Sequence, residues 1–254
     1  MRKYIVIAAS ALMAAGGGAA LYLSILAFLH ERHEQQENRF IQAAIGAPVV
    51  NPDLPMVLII GDSISVPYTV PVRLRLEGIA NIFHPMENCG GTLKILQKLD
   101  GWLGSTKWAV IHFNAGLHDL AHVQYENVAP GKQKMVPVGQ GPRWVSPESY
   151  RANLEEIVER LKKTGARLIF ATTTPVPVGE ANRLPEDVAL YNQAALSVMR
   201  KNNVQIDDLN AVSVESAGLF QMPRDVHFLQ QGSDILADRV AASIKTALPS
   251  KLLP

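Results

Sequence analysis

Met56-Val57-Leu58-Ile59-Ile60-Gly61-Asp62-Ser63 is the stretch that decides the fold. Five apolar residues in a row, closed by a glycine, read as a short strand buried on both faces, as strands of a parallel sheet are. Trp108-Ala109-Val110-Ile111-His112-Phe113 and Arg167-Leu168-Ile169-Phe170-Ala171-Thr172 repeat the pattern, Val204-Gln205-Ile206 is a fourth copy, and Asn81-Ile82-Phe83 is a weaker one.

Helical spacing fills the intervals. Leu93, Leu96, Leu99 and Leu103 share one face. Ser146-Pro147 reads as an N-cap followed by proline in the first turn, ahead of an apolar face of Leu154, Ile157, Val158 and Leu161. Leu184-Pro185-Glu186-Asp187 opens another helix, with Val188, Tyr191, Ala195 and Val198 inward, and a last one starts near Gln231 with Leu236, Val240 and Ile244 on one side. Strands alternating with helices predict one α/β domain, a parallel sheet covered on both faces. Ligands of such sheets bind beyond the carboxyl ends of the strands, so functional residues are expected just after each strand. Tyr125 to Val145, rich in Gly and Pro, reads as an insertion or long loop.

Composition narrows the function classes. The chain has 254 residues, 48% hydrophobic and 19% charged, which fits a globular core rather than disorder. A net charge of +1 without a basic tract argues against nucleic acid as a partner. Cys89 is the one cysteine, so no intrachain disulfide can form.

Met1-Arg2-Lys3 is followed by 26 residues without a charge, Tyr4 to Leu29. As a helix this stretch is roughly 39 Å long, enough to cross a bilayer with some tilt. A cleaved signal peptide is the alternative, which would leave the protein secreted; the apolar run Leu21 to Leu29 beyond the small residues favours an uncleaved anchor. Positive charge ahead of the span puts the N-terminus in the cytoplasm and the rest outside it. Residues 1–29 are thus read as a membrane anchor, 30–50 as a stalk and 51–254 as the folded domain.

The chemistry sits after the strands. Ser63 follows the first one directly. A serine nucleophile needs a base to take its proton and a carboxylate to orient that base. His227 and Asp225, in Asp225-Val226-His227 ahead of the last helix, supply both. Asn88-Cys89-Gly90-Gly91-Thr92 and Asn114-Ala115-Gly116-Leu117-His118-Asp119 lie after two further strands, with glycines that let backbone approach a substrate. Asp62 is read as organising its turn, His112 as a core residue, Cys89 as packed beneath the site, and Trp144 as able to stack on a sugar. A zinc site of His112, His118 and His122 is disfavoured because Gly116 interrupts a helix face.

Taken together these blocks resemble the SGNH (GDSL-type) esterase and lipase family over roughly Leu54 to Leu248. The resemblance implies a three-layer α/β/α sandwich of flavodoxin-like type, with Ser63 as nucleophile, and His227 and Asp225 completing a triad. It assigns the oxyanion hole to the N–H groups of Ser63 and Gly90, with Gly91 in reserve. The family's G-x-N-D block is here Gly116-Leu117-His118-Asp119, so either His118 or Asn114 takes the asparagine's place. The implied activity is cofactor-free and metal-free hydrolysis of short acyl esters, O-acetyl groups of a cell-surface glycan first. Acyl transfer to a glycan, lipid ester or thioester cleavage, and non-catalytic glycan binding are the alternatives. No partner protein is inferable.

Overall fold

The computed structural model describes residues 41–42, 45–124 and 133–248. The stretch read as an anchor and most of that read as a stalk lie outside these residues. Among the described residues no helix is long and apolar enough to cross a membrane.

Five parallel strands form the central sheet: β1 (Met56–Ile60), β2 (Asn81–Phe83), β3 (Trp108–Phe113), β6 (Arg167–Ala171) and β7 (Gln205–Asp207). Their order is β2-β1-β3-β6-β7. Val57, Ile59, Val110, Ile111, Ile169 and Phe170 are wholly buried, because helices cover both faces. On one face α1 (Ser65–Arg75) packs on α6 (Gln230–Ala247), and α6 on α5 (Leu209–Phe220). On the other, α2 (Thr92–Leu103), α3 (Pro147–Lys162) and α4 (Pro185–Lys201) lie side by side. This is a three-layer α/β/α sandwich. From β1 the chain crosses first to β2 on one side and then to β3 on the other. That reversal opens a crevice at the carboxyl end of β1, where ligands bind in open sheets.

The expected strands all form, and the Ser146 cap of α3 is real: its hydroxyl accepts the Ser149 N–H at 3.2 Å. Two helices have no counterpart in the sequence reading. α1 carries Pro67 and Pro71 among β-branched residues, a composition that opposes helix. Burial of Tyr68 and Val72 against the sheet overrides it. α5 also forms without a marked apolar stripe. β4 (Val123–Gln124), just ahead of the insertion, and β5 (Lys134–Met135), within it, make a small antiparallel pair. The insertion's far end is tied to α4 by Arg143, which donates to both oxygens of Asp187 at 2.7 Å.

Ile41 and Ile45, in the stretch read as stalk, are buried against Val66 of α1, and Arg73 donates to the Ile45 carbonyl. Contact with the domain therefore begins ahead of residue 51.

Candidate active site

Ser63 stands three residues beyond the end of β1. Its turn is built by Asp62, whose Oδ1 accepts the Ile64 N–H at 3.0 Å. The turn is tight: a Cβ on Gly61 would lie 2.7 Å from that of Ser65. Asp62 is buried, which raises its pKa. It organises the turn, as expected.

Ser63 Oγ lies 2.8 Å from His227 Nε2. His227 Nδ1 lies 2.6 Å from Asp225 Oδ1, which also accepts the His227 backbone N–H at 3.0 Å. One carboxylate oxygen thus fixes both the ring and the backbone that carries it. Burial would raise the Asp225 pKa, but the two His227 hydrogen bonds and nearby positive charge outweigh it and lower it. With Nδ1–H held by Asp225, Nε2 presents a lone pair to the serine hydroxyl, the arrangement a general base requires.

The loop that carries this pair closes on itself. The Met222 N–H donates to the His227 carbonyl at 2.9 Å and the Asp225 N–H to the Met222 carbonyl at 3.2 Å. Arg224 adopts φ 58°, a left-handed residue that turns the chain before Asp225. That turn lets a carboxylate only two residues away reach the ring.

The donor candidates separate. Gly90 has φ 64°, open to glycine, and its N–H donates to Asn88 Oδ1 at 2.9 Å. An oxyanion arriving there competes with Asn88. Gly91 caps α2 with extended backbone. Asn114 Nδ2 donates to the Ala171 carbonyl at 2.8 Å, so its amide joins β3 to β6. His118 is partly exposed, with its ring 6.3 Å from that of Trp144. Burial, then the charges of Arg183, Lys94 and His227, hold its pKa down at about 3, so the ring is neutral and can donate one hydrogen bond. Gly116 is required by packing: a Cβ there would lie 1.9 Å from Thr173 Oγ1.

Two residues given no role in the sequence reading, Asp119 of the Gly116–Asp119 block and Arg183, brace this corner. Asp119 takes the Thr92 N–H and hydroxyl at the start of α2, at 2.9 and 2.5 Å. Arg183, almost fully buried, donates through Nε to the Leu117 carbonyl at 2.7 Å and pairs with Glu180 at 3.1 Å. A carboxylate three residues after a glycine and an arginine before a Leu-Pro helix start are the faint signals for them.

Other histidines are spent separately, and His84 bonds the Ser65 hydroxyl and the Pro85 carbonyl, each at 2.6 Å. His112 pairs with Asp207 at 3.0 Å in the core, and His122 bonds the Gly141 carbonyl at 2.7 Å. Cys89 is wholly buried, and burial pushes its thiol pKa up.

No protein-family model and no curated protein sequence matches the chain. Solved structures do. A lipase/acylhydrolase from Enterococcus faecalis superposes with a TM-score of 0.60 at 18% identity, over 77% of this chain and 97% of its own. Axe2, an acetylxylan esterase from Geobacillus stearothermophilus, gives 0.57 at 15%, over 82% and 99%. TesA gives 0.58 at 16%, over 76% and 99%. These likenesses establish the fold, that of the SGNH hydrolases.

Proposed function

We propose that this SGNH-fold chain is a serine esterase acting on acyl esters, with Ser63 as nucleophile. The observation that carries the reading is the unbroken chain from Ser63 Oγ through His227 to Asp225, at 2.8 and 2.6 Å. Ser63 Oγ attacks the ester carbonyl while His227 Nε2 takes its proton. Asp225 holds Nδ1–H and stabilises the imidazolium. The oxyanion is received by the N–H groups of Ser63 and Gly90 and by the neutral His118 ring. As the C–O bond breaks, His227 returns the proton to the departing alcohol. Water, deprotonated by His227, then attacks the acyl-Ser63 ester, releasing the acid and restoring the hydroxyl. Asn114 is the weaker candidate, because one of its two amide N–H groups is committed to the Ala171 carbonyl on β6.

The esterase and acylhydrolase names of the structural neighbours support this class of reaction. Acetyl esters of a cell-surface glycan fit within it, supported by the acetylxylan esterases and by Trp144 beside His118. The charge pattern around the 4–29 stretch supports an anchored domain outside the cytoplasm.

The test is hydrolysis of an ester panel by the full chain and by Ser63→Ala. The variant should fall at least about 10³-fold in kcat/KM. Equal rates in the two proteins, or none in either, end the esterase reading.

A further inference from the structure

We propose that the acyl side of this site is a groove along α1 that takes a linear aliphatic acyl chain of medium length. This rests on the esterase reading and deepens it, moving the acyl group beyond acetyl. The groove has a volume of about 690 Å³, and Ser63 and His227 line it. An acyl group attached at Ser63 Oγ therefore begins inside it.

The composition of α1 explains the groove. One face of the helix, Tyr68, Val72 and the following Leu76, is buried in the core. A second apolar stripe, Val66, Pro67, Val70, Pro71 and Leu74, lines the groove instead. These residues recur at helical spacing, three and four apart. A surface helix needs one apolar face to fold; of the second, Val66 packs on Ile41 and Ile45 at the near end, while Leu74 is left 68% exposed at the far end. Met222 and Phe228, from the loop that holds His227, face it across the groove, and Ile41 also contributes.

The lining chooses the occupant. Apart from Ser63 and His227, Gln230 is the polar side chain among the described residues that line the groove. A sugar ring there would lose its water without regaining hydrogen bonds. An acetyl group would fill only the mouth. From Val66 to Leu74 the helix advances roughly 12 Å, the reach of an extended chain of about ten carbons. Each methylene laid along the stripe is expected to raise kcat/KM by about two- to fourfold until the groove is filled.

The experiment uses the full chain in nanodiscs, free of detergent, with nitrophenyl esters from acetate to dodecanoate. The decanoate to acetate ratio of kcat/KM should exceed about a hundred and fall about tenfold in Leu74→Asp. Leu74 is largely exposed, so this change spares the core. A flat series, or a ratio unmoved by Leu74→Asp, overturns the proposal. A second arm does not depend on turnover. A photoreactive diazirine analogue of decanoic acid is crosslinked to Ser63→Ala and mapped by mass spectrometry. Label on residues 66–74, competed by decanoate and not by acetate, supports the groove even if no ester is cleaved and the esterase reading falls. Label elsewhere, or no competition, removes the groove while leaving esterase activity to its own test.

Discussion

Asp119 Oδ1 accepts both the backbone N–H and the hydroxyl of Thr92, so the turn after β3 and the first turn of α2 form one rigid corner. Asn153 of α3 adds a third member, donating to the Thr92 hydroxyl at 2.9 Å. His118 immediately precedes Asp119, and Gly90 and Gly91 immediately precede Thr92. The proposed oxyanion donors are therefore set by a carboxylate that does not itself reach the nucleophile.

That carboxylate makes stability depend on pH. Burial pushes the Asp119 pKa up to about 7 from 3.8, against the pull of the Thr92 hydrogen bonds. The folded protein then keeps a proton that the unfolded chain has lost. Stability from this group is full below about pH 4, falls as pH rises toward 7, and levels off above, by up to about 4 kcal/mol. Asp119→Asn keeps an oxygen for Thr92 and removes the titration. Urea midpoints measured from pH 4 to 8 should decline in the wild type and be flatter in the variant; parallel curves would remove Asp119 as the source.

His118 and Asn114 can be told apart by what each loses. His118→Ala should lower kcat/KM by about 10²–10³-fold with little change in stability. His118→Asn, which offers an amide donor from the same backbone position, should recover much of that rate. Because the His118 ring stays neutral down to a pKa of about 3, the acid limb of the rate profile should keep a single-proton slope in wild type and in His118→Asn. Asn114→Ala should show the reverse pattern. It leaves the Ala171 carbonyl short of a donor and costs about 1–3 kcal/mol in urea unfolding, with a smaller kinetic loss than His118→Ala.

Much of this was legible in the sequence, and the exceptions share a cause. The β1 run announced itself because a strand covered on both faces is apolar at every position. Ser63, Asp225 and His227 stood out because each lies in a short block at a predictable place. Asn114 did not resolve, because its direction is decided by a carbonyl on β6, 57 residues away. Arg183 escaped notice for the same reason: its partner at Leu117 is backbone, and backbone has no letter. α1 was obscured by its prolines and β-branched residues, whose local preference loses to the burial of Tyr68 and Val72.

Arg183 should prove a brace rather than a surface charge. Its side chain and that of Glu180 are each 8% exposed. Arg183→Met would leave Glu180 buried without its partner and the Leu117 carbonyl without a donor. Unfolding free energy should fall by about 3–5 kcal/mol. In Arg183→Met/Glu180→Gln much of this loss should return, because the stranded charge is gone. A double variant no more stable than the single one would place Arg183's contribution in the Leu117 bond alone.

The two-residue spacing of Asp225 and His227 depends on the turn at Arg224. With φ 58°, Arg224 sits where L-residues are strained and glycine is not. Arg224→Gly should thus hold the loop at least as well as arginine and keep kcat/KM within about threefold. Arg224→Val places a β-branched residue in the same conformation, and the least costly relief is to rotate the turn. The Asp225 carboxylate would then leave Nδ1, and the loss should approach that of Asp225→Asn, about 10²–10⁴-fold in kcat/KM. Because the loop lies beyond the core strands, Arg224→Val should lose far more activity than thermal stability. Equal activity in Arg224→Gly and Arg224→Val would show that Asp225 reaches the ring without this turn.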